Sequence, residues 1–245
     1  MLKLLLLGDA CIDIYYYGHI NRISPEAPVP ILDVVDWEER FGMVYNVNEN
    51  LINLNFEVDL IQNNTASRKT RFIDIKSKQH IIRCDQDPER EPVNLVDVPW
   101  NEYDAVVISD YGKGSINHNT FYTIKNKFSR PIFLDTKNPN LGLLENFYIK
   151  INETERANAK SLPSKYVITT LGSRGAEYNG KLYPAEKVEC VDVCGAGDTF
   201  FATFVYGMLH YDNIDSAIEL ANQAAALSVK HIGTYAPSQK ELIAM

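Results

Sequence analysis

Short apolar runs that stop abruptly at polar or glycine residues dominate the pattern of this chain. "LKLLLLGD" runs without a break to Gly8 and Asp9, which predicts a strand buried on both faces of a parallel sheet, with a ligand met at its carboxyl end. The same form returns in "YDAVVISDYG" (103–112), "RPIFLDTK" (130–137), "NFYIKINE" (146–153) and "KYVITTLG" (165–172). Helical spacing lies between them, as in "NHNTFYTIKNKF" with Phe121, Ile124, Lys125 and Phe128. Strand and helix therefore alternate as in a doubly wound, mostly parallel α/β sheet.

Two segments interrupt that alternation. "IDIYYYGHINR" with "PVPILDVVDWEERFG", and "TRFIDIKSKQHIIRCD", alternate with a period of two and carry aromatics and prolines, predicting a small sheet apart from the core. This lid is placed at about 12–35 and 70–85. From "DVCGAGDTF" onward, "GAGDTFFATFVYGMLHY" and "DSAIELANQAAALSVKHIG" read as two amphipathic helices whose small residues permit close packing. No internal repeat, low-complexity tract or long linker is visible, so one domain over 1–245 is expected.

Composition narrows the function classes. The chain has 24 Lys+Arg against 32 Asp+Glu, a net charge of −8, so it is not expected to bind nucleic acid by neutralising phosphates, and any phosphate site must be local. Cys11, Cys84, Cys190 and Cys194 are scattered, with only a C-x3-C spacing between the last two; reduced thiols are expected rather than zinc. The opening "MLKLLLLGDACID" is too short an apolar run for a secretory signal. No stretch approaches the ~18 apolar residues of a membrane span, and a cytoplasmic location without membrane contact is expected.

The chemistry is concentrated in "DVCGAGDTF", Asp192 to Phe200. Gly195, Ala196 and Gly197 let a phosphate approach main-chain N–H groups where a helix starts, and Asp198 follows directly. That pairing suits phosphoryl transfer to a hydroxyl: the turn stabilises charge on the moving group and the carboxylate accepts the proton. A plain helix N-cap at Asp198 accounts for the same four residues. "NETE", Asn152, Glu153, Thr154 and Glu155, follows an apolar strand and offers an amide and a carboxylate for nucleotide phosphates and a hydrated Mg2+ held at Glu155; a capped turn is the alternative. In "TLGSRG", Thr170, Gly172 and Gly175 suit either a nucleotide-facing turn or an ordinary hairpin.

Taken in order, "NETE", "TLGSRGA", "GAGDTF" and "ANQAAALSVKHIGT" resemble the ribokinase-like (PfkB) carbohydrate kinases over nearly the whole chain. "GDACIDIYYYGHINRISPEAPVPIL", "EERFGMVYNV", "SDYGKG" and "LDTK" are similar to the kinase domain of the heptose 7-phosphate kinases, the sugar-kinase half of the bifunctional enzyme of ADP-heptose synthesis. The resemblance implies a ribokinase-like fold and Asp198 as catalytic base. It implies Gly195 to Gly197 as the anion hole, Asn152 to Glu155 with Thr170, Gly172, Gly175 and Asn222 toward ATP and Mg2+, and Asp13, Gly42 and Asn46 toward the sugar. A monovalent cation such as K+ is a further cofactor it admits. Arg22 and Lys137 are the cations placed toward a substrate phosphate, with surface charge as the alternative.

Some features depart from that family. Met43 stands where a second glycine is usual, and the chain is contracted after "EVDLIQNN" and after "NETERANA", so a core shortened relative to the family is expected. A homodimer joined through the lid sheet is expected from its aromatic edges. The chain ends soon after the kinase motifs, and only the kinase step is expected of it. A kinase for another sugar, or a silent nucleotide- or sugar-binding relative, are the alternatives.

Overall fold

The computed structural model describes residues 1–62, 65–163 and 165–243. In chain order its elements are β1 (Lys3–Gly8), β2 (Ala10–Ile23), β3 (Pro30–Met43), α1 (Val44–Asn53), β4 (Glu57–Ile61), β5 (Ser67–Asp74), β6 (Gln79–Gln86), β7 (Ala105–Asp110) and α2 (His118–Lys127). They continue with β8 (Ile132–Thr136), β9 (Phe147–Asn152), α3 (Glu153–Asn158), β10 (Val167–Thr170), β11 (Ala176–Tyr178), β12 (Lys181–Tyr183), α4 (Ala196–Tyr211), α5 (Ile214–Ser228) and α6 (Gln239–Ile243).

Eight strands form the main sheet in the order β12-β11-β10-β9-β8-β7-β1-β4. From β10 to β4 every pairing is parallel, while β11 and β12 close the other edge as antiparallel strands. β1 shows why an unbroken apolar run reads as a central strand. Leu4 and Leu6 enter the core beneath α1, α4 and α5, whereas Leu5 and Leu7 enter a second core beneath α2, so both faces of the strand must be apolar.

A separate sheet has the order β3-β2-β5-β6. Its strands extend beyond the expected 12–35 and 70–85, because β2 and β3 pair antiparallel from Ala10/Met43 to Ile23/Pro30 and β5 and β6 pair from Arg68/Gln86. The alternation that carries Trp37 and Phe41 on one side and Glu38 and Arg40 on the other continues the strand past Val35.

The two C-terminal helices also differ from expectation in one respect. α4 is buried at every position from Asp198 to Met208 rather than along one stripe, because it lies between the sheet, α1 and α5. The close packing expected of its small residues is present: a Cβ on Gly207 would stand 2.8 Å from the Ala217 Cβ.

Met43 adopts φ 58° and ψ −123°, a backbone region suited to glycine. The loop thus keeps a glycine-like path although the residue has changed. The Met43 side chain is buried rather than standing in an open cleft.

Candidate functional site

The carboxyl ends of β7, β8 and β9 and the start of α4 enclose a pocket of about 200 Å³, lined by Asp110, Tyr111, Asp135, Lys137, Lys150, Asn152, Glu155, Gly195, Gly197 and Asp198. Each parallel strand delivers its last residues to this one place, as the geometry of such sheets requires. A hollow of about 870 Å³ lined by Ile12, Tyr45, Gln62, Arg68 and Gln86, among others, shares no residue with it.

Asp198 is not a helix cap. The N-cap of α4 is Gly195, at φ 76°, and no side chain caps the helix. Asp198 instead turns inward, where Oδ2 accepts from Asn46 Nδ2 at 2.6 Å and Oδ1 accepts from the Tyr111 hydroxyl at 2.8 Å. Burial, and then the neighbouring Asp135, push its pKa above the ordinary carboxylate value, while the bonds from Asn46 and Tyr111 and the charge of Lys150 act the other way. A Cβ on Gly195 would lie 2.7 Å from Asn46 Nδ2, so glycine is needed for the turn to sit this close. The first-turn N–H groups of Gly197 and Asp198 have no intrahelical acceptor, and these two residues line the pocket at the positive end of the helix.

"NETE" forms the capped turn that is its alternative reading. Asn152 caps α3, accepting from Glu155 N–H at 2.9 Å, and Glu155 Oε2 accepts from Asn152 N–H at 2.7 Å, a capping box. The same two side chains line the pocket. Burial raises the Glu155 pKa, opposed by the Asn152 N–H. Glu153 is drawn outward to an ion pair with Arg174, and Thr154 is exposed.

The other sequence-derived positions divide. Thr170 pairs with Asn152 on the adjacent strand. Gly172 and Gly175 shape the β10–β11 hairpin, the ordinary-turn alternative, and do not line the pocket. The Asn222 amide donates to the Tyr183 carbonyl at 2.9 Å and ties α5 to β12, outside the pocket. Lys137 lines the pocket with its ammonium 4.7 Å from the Tyr111 ring centroid.

Asp13 and Gly42 stand on β2 and β3, paired through Cys11 and Arg40, and Asp13 Oδ1 accepts from Arg71 at 2.6 Å. A Cβ on Gly42 would reach 2.5 Å from Asp13 Oδ2. Arg22 lies nine residues beyond Asp13 on β2, exposed and paired with Ile31. At about 3.3 Å per residue that is up to roughly 30 Å along the strand, which bulges twice on the way, and Arg22 does not join this group.

The small sheet has two unlike faces. One carries Asp13, Tyr15, Lys69, Arg71, Glu38 and Arg40, with Arg40 and Arg71 both stacked on Tyr15. This face meets the loop beside the glycine turn: a Cβ on Gly233 would stand 2.9 Å from Arg40, and Gly233 N–H donates to Asp192. The opposite face carries the row Ile82, Phe72, Tyr16 and Trp37 across all four strands.

Sequence reasoning missed Tyr111, Asp110, Asp135, Lys150, Arg40 and Arg71. Tyr111 sits inside "SDYGKG", and Lys150 is the one charge within the run "NFYIKIN". A lysine at a position flanked by core residues was the available signal. Asp110 has its pKa pushed up to about 6 by burial, with Asp9 and Asp135 adding to it and bonds from Thr136 and Gly112 opposing.

For Mg2+, the donor set fits a hydrated ion rather than a protein cage. Among the described residues no group of three or more His, Cys, Asp or Glu side chains forms a metal cluster, and Mg2+ is commonly held by one or two carboxylates, waters and substrate phosphates. Among the described residues no helix is long and apolar enough to cross a membrane.

Residues 144–241 match the pfkB family carbohydrate kinase. The bifunctional protein HldE of Nitratiruptor sp. is 29% identical over 297 residues, covering 98% of this chain and 64% of that protein. The bifunctional protein HldE of Campylobacter curvus is 30% identical over 291 residues, covering 95% and 62%. The chain thus spans a little under two thirds of the length of these relatives. The 297 aligned positions exceed the 245 residues of the chain, so the relatives carry segments within the aligned region that it lacks. In fold it is similar to the ribokinase of Thermotoga maritima, with a TM-score of 0.72 at 17% identity, covering 100% of this chain and 99% of that one. The ribokinase of Arabidopsis thaliana, solved with ribose and ATP, gives 0.73 at 18% identity, covering 100% and 98%.

Proposed function

We propose, for a chain that carries a pfkB-family carbohydrate kinase domain, that it uses ATP to phosphorylate D-glycero-D-manno-heptose 7-phosphate at the anomeric hydroxyl, giving the 1,7-bisphosphate. The observation that carries this reading is Asp198, buried at the end of a glycine turn and held by Asn46 and Tyr111 instead of capping its helix. Asp198 takes the proton of the attacking hydroxyl as the new O–P bond forms and the bond from the terminal phosphorus to ADP breaks. The main-chain N–H groups of the turn stabilise charge on the moving group. Glu155 would hold a hydrated Mg2+, which supplies neutralisation of phosphate charge when bound. The choice of a heptose 7-phosphate rests on "RISPEAPVP" and the accompanying N-terminal strings, and on similarity to proteins named HldE.

The test is ATP turnover against a panel of sugar 7-phosphates, 6-phosphates and free sugars, with NMR of the product to find the phosphorylated oxygen. A phosphorylated heptose is expected to be used best. In this reading its remote phosphate meets Arg71 and Arg40 on the charged face of the lid, in place of Arg22. A charge-assisted contact is worth ~1.5–3 kcal/mol, so Arg71→Gln should raise KM for the sugar phosphate about 10- to 100-fold while leaving KM for ATP nearly unchanged. Equal use of free and phosphorylated sugars would sink the assignment.

The apolar face of the lid supports a homodimer as the assembly. Trp37 is 57% exposed, Phe41 62% and Ile82 55%, and among the described residues β3 and β6 leave both edges of the sheet unpaired. Light scattering at micromolar protein should give twice the chain mass, and Trp37→Glu combined with Ile82→Glu should halve it. A monomeric parent protein would exclude this assembly.

A further inference from the structure

Lys150 is the best-buried cation of the pocket and has no part in the scheme above. It lies on β9 in register with Asp135 of β8, and its ammonium bonds Asp135 Oδ2 at 2.7 Å with side-chain exposures of 8% and 12%. Its neighbour on the same face, Tyr148, stacks on Phe133 and packs against Phe204, so an apolar side chain would suit this position. A buried ion pair contributes little to stability compared with apolar residues of the same volume, and packing gives no reason for a lysine here.

Its position gives one. Lys150 Nζ stands 3.2 Å from where a Cβ on Gly197 would be, and therefore beside the glycine turn and the Asp198 carboxylate. The pocket holds Asp110, Asp135, Glu155 and Asp198 against Lys137 and Lys150. Lys137 is exposed at the rim with its ammonium over Tyr111. A terminal phosphate seated against the Gly197 turn would lie beside Lys150. Burial works against the charge on Lys150, but the Asp135 carboxylate outweighs it and keeps the ammonium protonated.

We propose that Lys150 is a catalytic residue that holds the terminal phosphoryl group of ATP during transfer, its ammonium donating to a phosphoryl oxygen while Asp135 keeps it aimed. This rests on the reading of the pocket as an ATP-dependent kinase site. The bond that forms is from the acceptor oxygen to the terminal phosphorus; the bond that breaks leaves ADP; the hydroxyl proton goes to Asp198; and Lys150 keeps its own protons throughout. The contact exists with ATP and in the transfer, and is absent with ADP.

That difference is the test. Dissociation constants for ATP and ADP are measured by calorimetry on the full chain, for the parent protein, Lys150→Met, and Lys150→Met combined with Asp135→Asn. The double variant leaves no unpaired buried carboxylate and covers the case in which the single variant does not fold. In whichever variant folds, ATP affinity should fall about 10- to 100-fold, the loss of one charge-assisted bond, ADP affinity should change less than about threefold, and kcat should fall about 10²–10³-fold. Equal losses for ATP and ADP, or no loss for either, in a folded variant would overturn the role of Lys150 and leave the kinase reading standing. A parent protein that binds neither nucleotide would overturn the kinase reading, and this role with it.

Discussion

Asp198→Asn should lower kcat by about 10²–10⁴-fold, the usual cost of removing a general base, with ATP affinity nearly unchanged. The carboxamide keeps the size of the side chain and an acceptor for Tyr111. It can also turn its NH2 toward Asn46, whose own amide can flip to receive it, so the fold should hold. The pH profile adds a second reading. The base works only when ionised, and in the free protein burial and Asp135 raise its pKa above the ordinary carboxylate value. Activity of the parent protein, as kcat/KM, should therefore be lost on acidification at a higher pH than an exposed aspartate would give, and the variant should lack that limb. Near-full activity in Asp198→Asn would remove the base from the mechanism.

Gly175→Ala should be among the most destabilising single-methyl changes in the chain. Gly175 has φ 99°, and a Cβ there would run into the Tyr183 carbonyl and stand 2.5 Å from Ala185 N, backbone atoms that cannot step aside. Strain of this kind costs ~1–3 kcal/mol and overpacking a further ~1–3. A loss of about 2–6 kcal/mol corresponds to a Tm lower by roughly 4–24 °C at this chain length. Gly172→Ala, three residues earlier in the same turn, is the control. It has φ 59° but a Cβ would meet nothing within 4 Å, so only the backbone term of about 1 kcal/mol applies. Thermal and urea unfolding of the two variants should separate them clearly. Similar losses would mean that the Tyr183 carbonyl moves more easily than its place between Gly175 and Asn222 indicates.

The parallel core was legible because its strands lie between two layers. β1, β7, β8, β9 and β10 fall within the five apolar runs, and burial on both faces leaves a run with no polar alternation to obscure it. β4 has only partly buried or exposed residues and left no such run. α1 follows Met43, its N-cap, at a backbone conformation for which methionine is no signal. The β12 edge strand is three residues long, too short for any period to register.

The site divides in the same way. Sequence by itself determined the glycine turn with its carboxylate and the capping box of Asn152 and Glu155, because in each the partners are within three residues and the chemistry is written locally. Only the tertiary structure decided which distant side chains meet there. Asn46 and Tyr111 reach Asp198 across separations of 152 and 87 residues, Lys150 meets Asp135 through strand register, and Arg71 meets Asp13 because β5 lies parallel to β2. The same geometry kept Arg22 away, since it lies nine residues further along β2 than Asp13, at the exposed end of the strand. A linear pattern records which faces are buried, and the pairing of remote charges follows from how strands are ordered in the sheet.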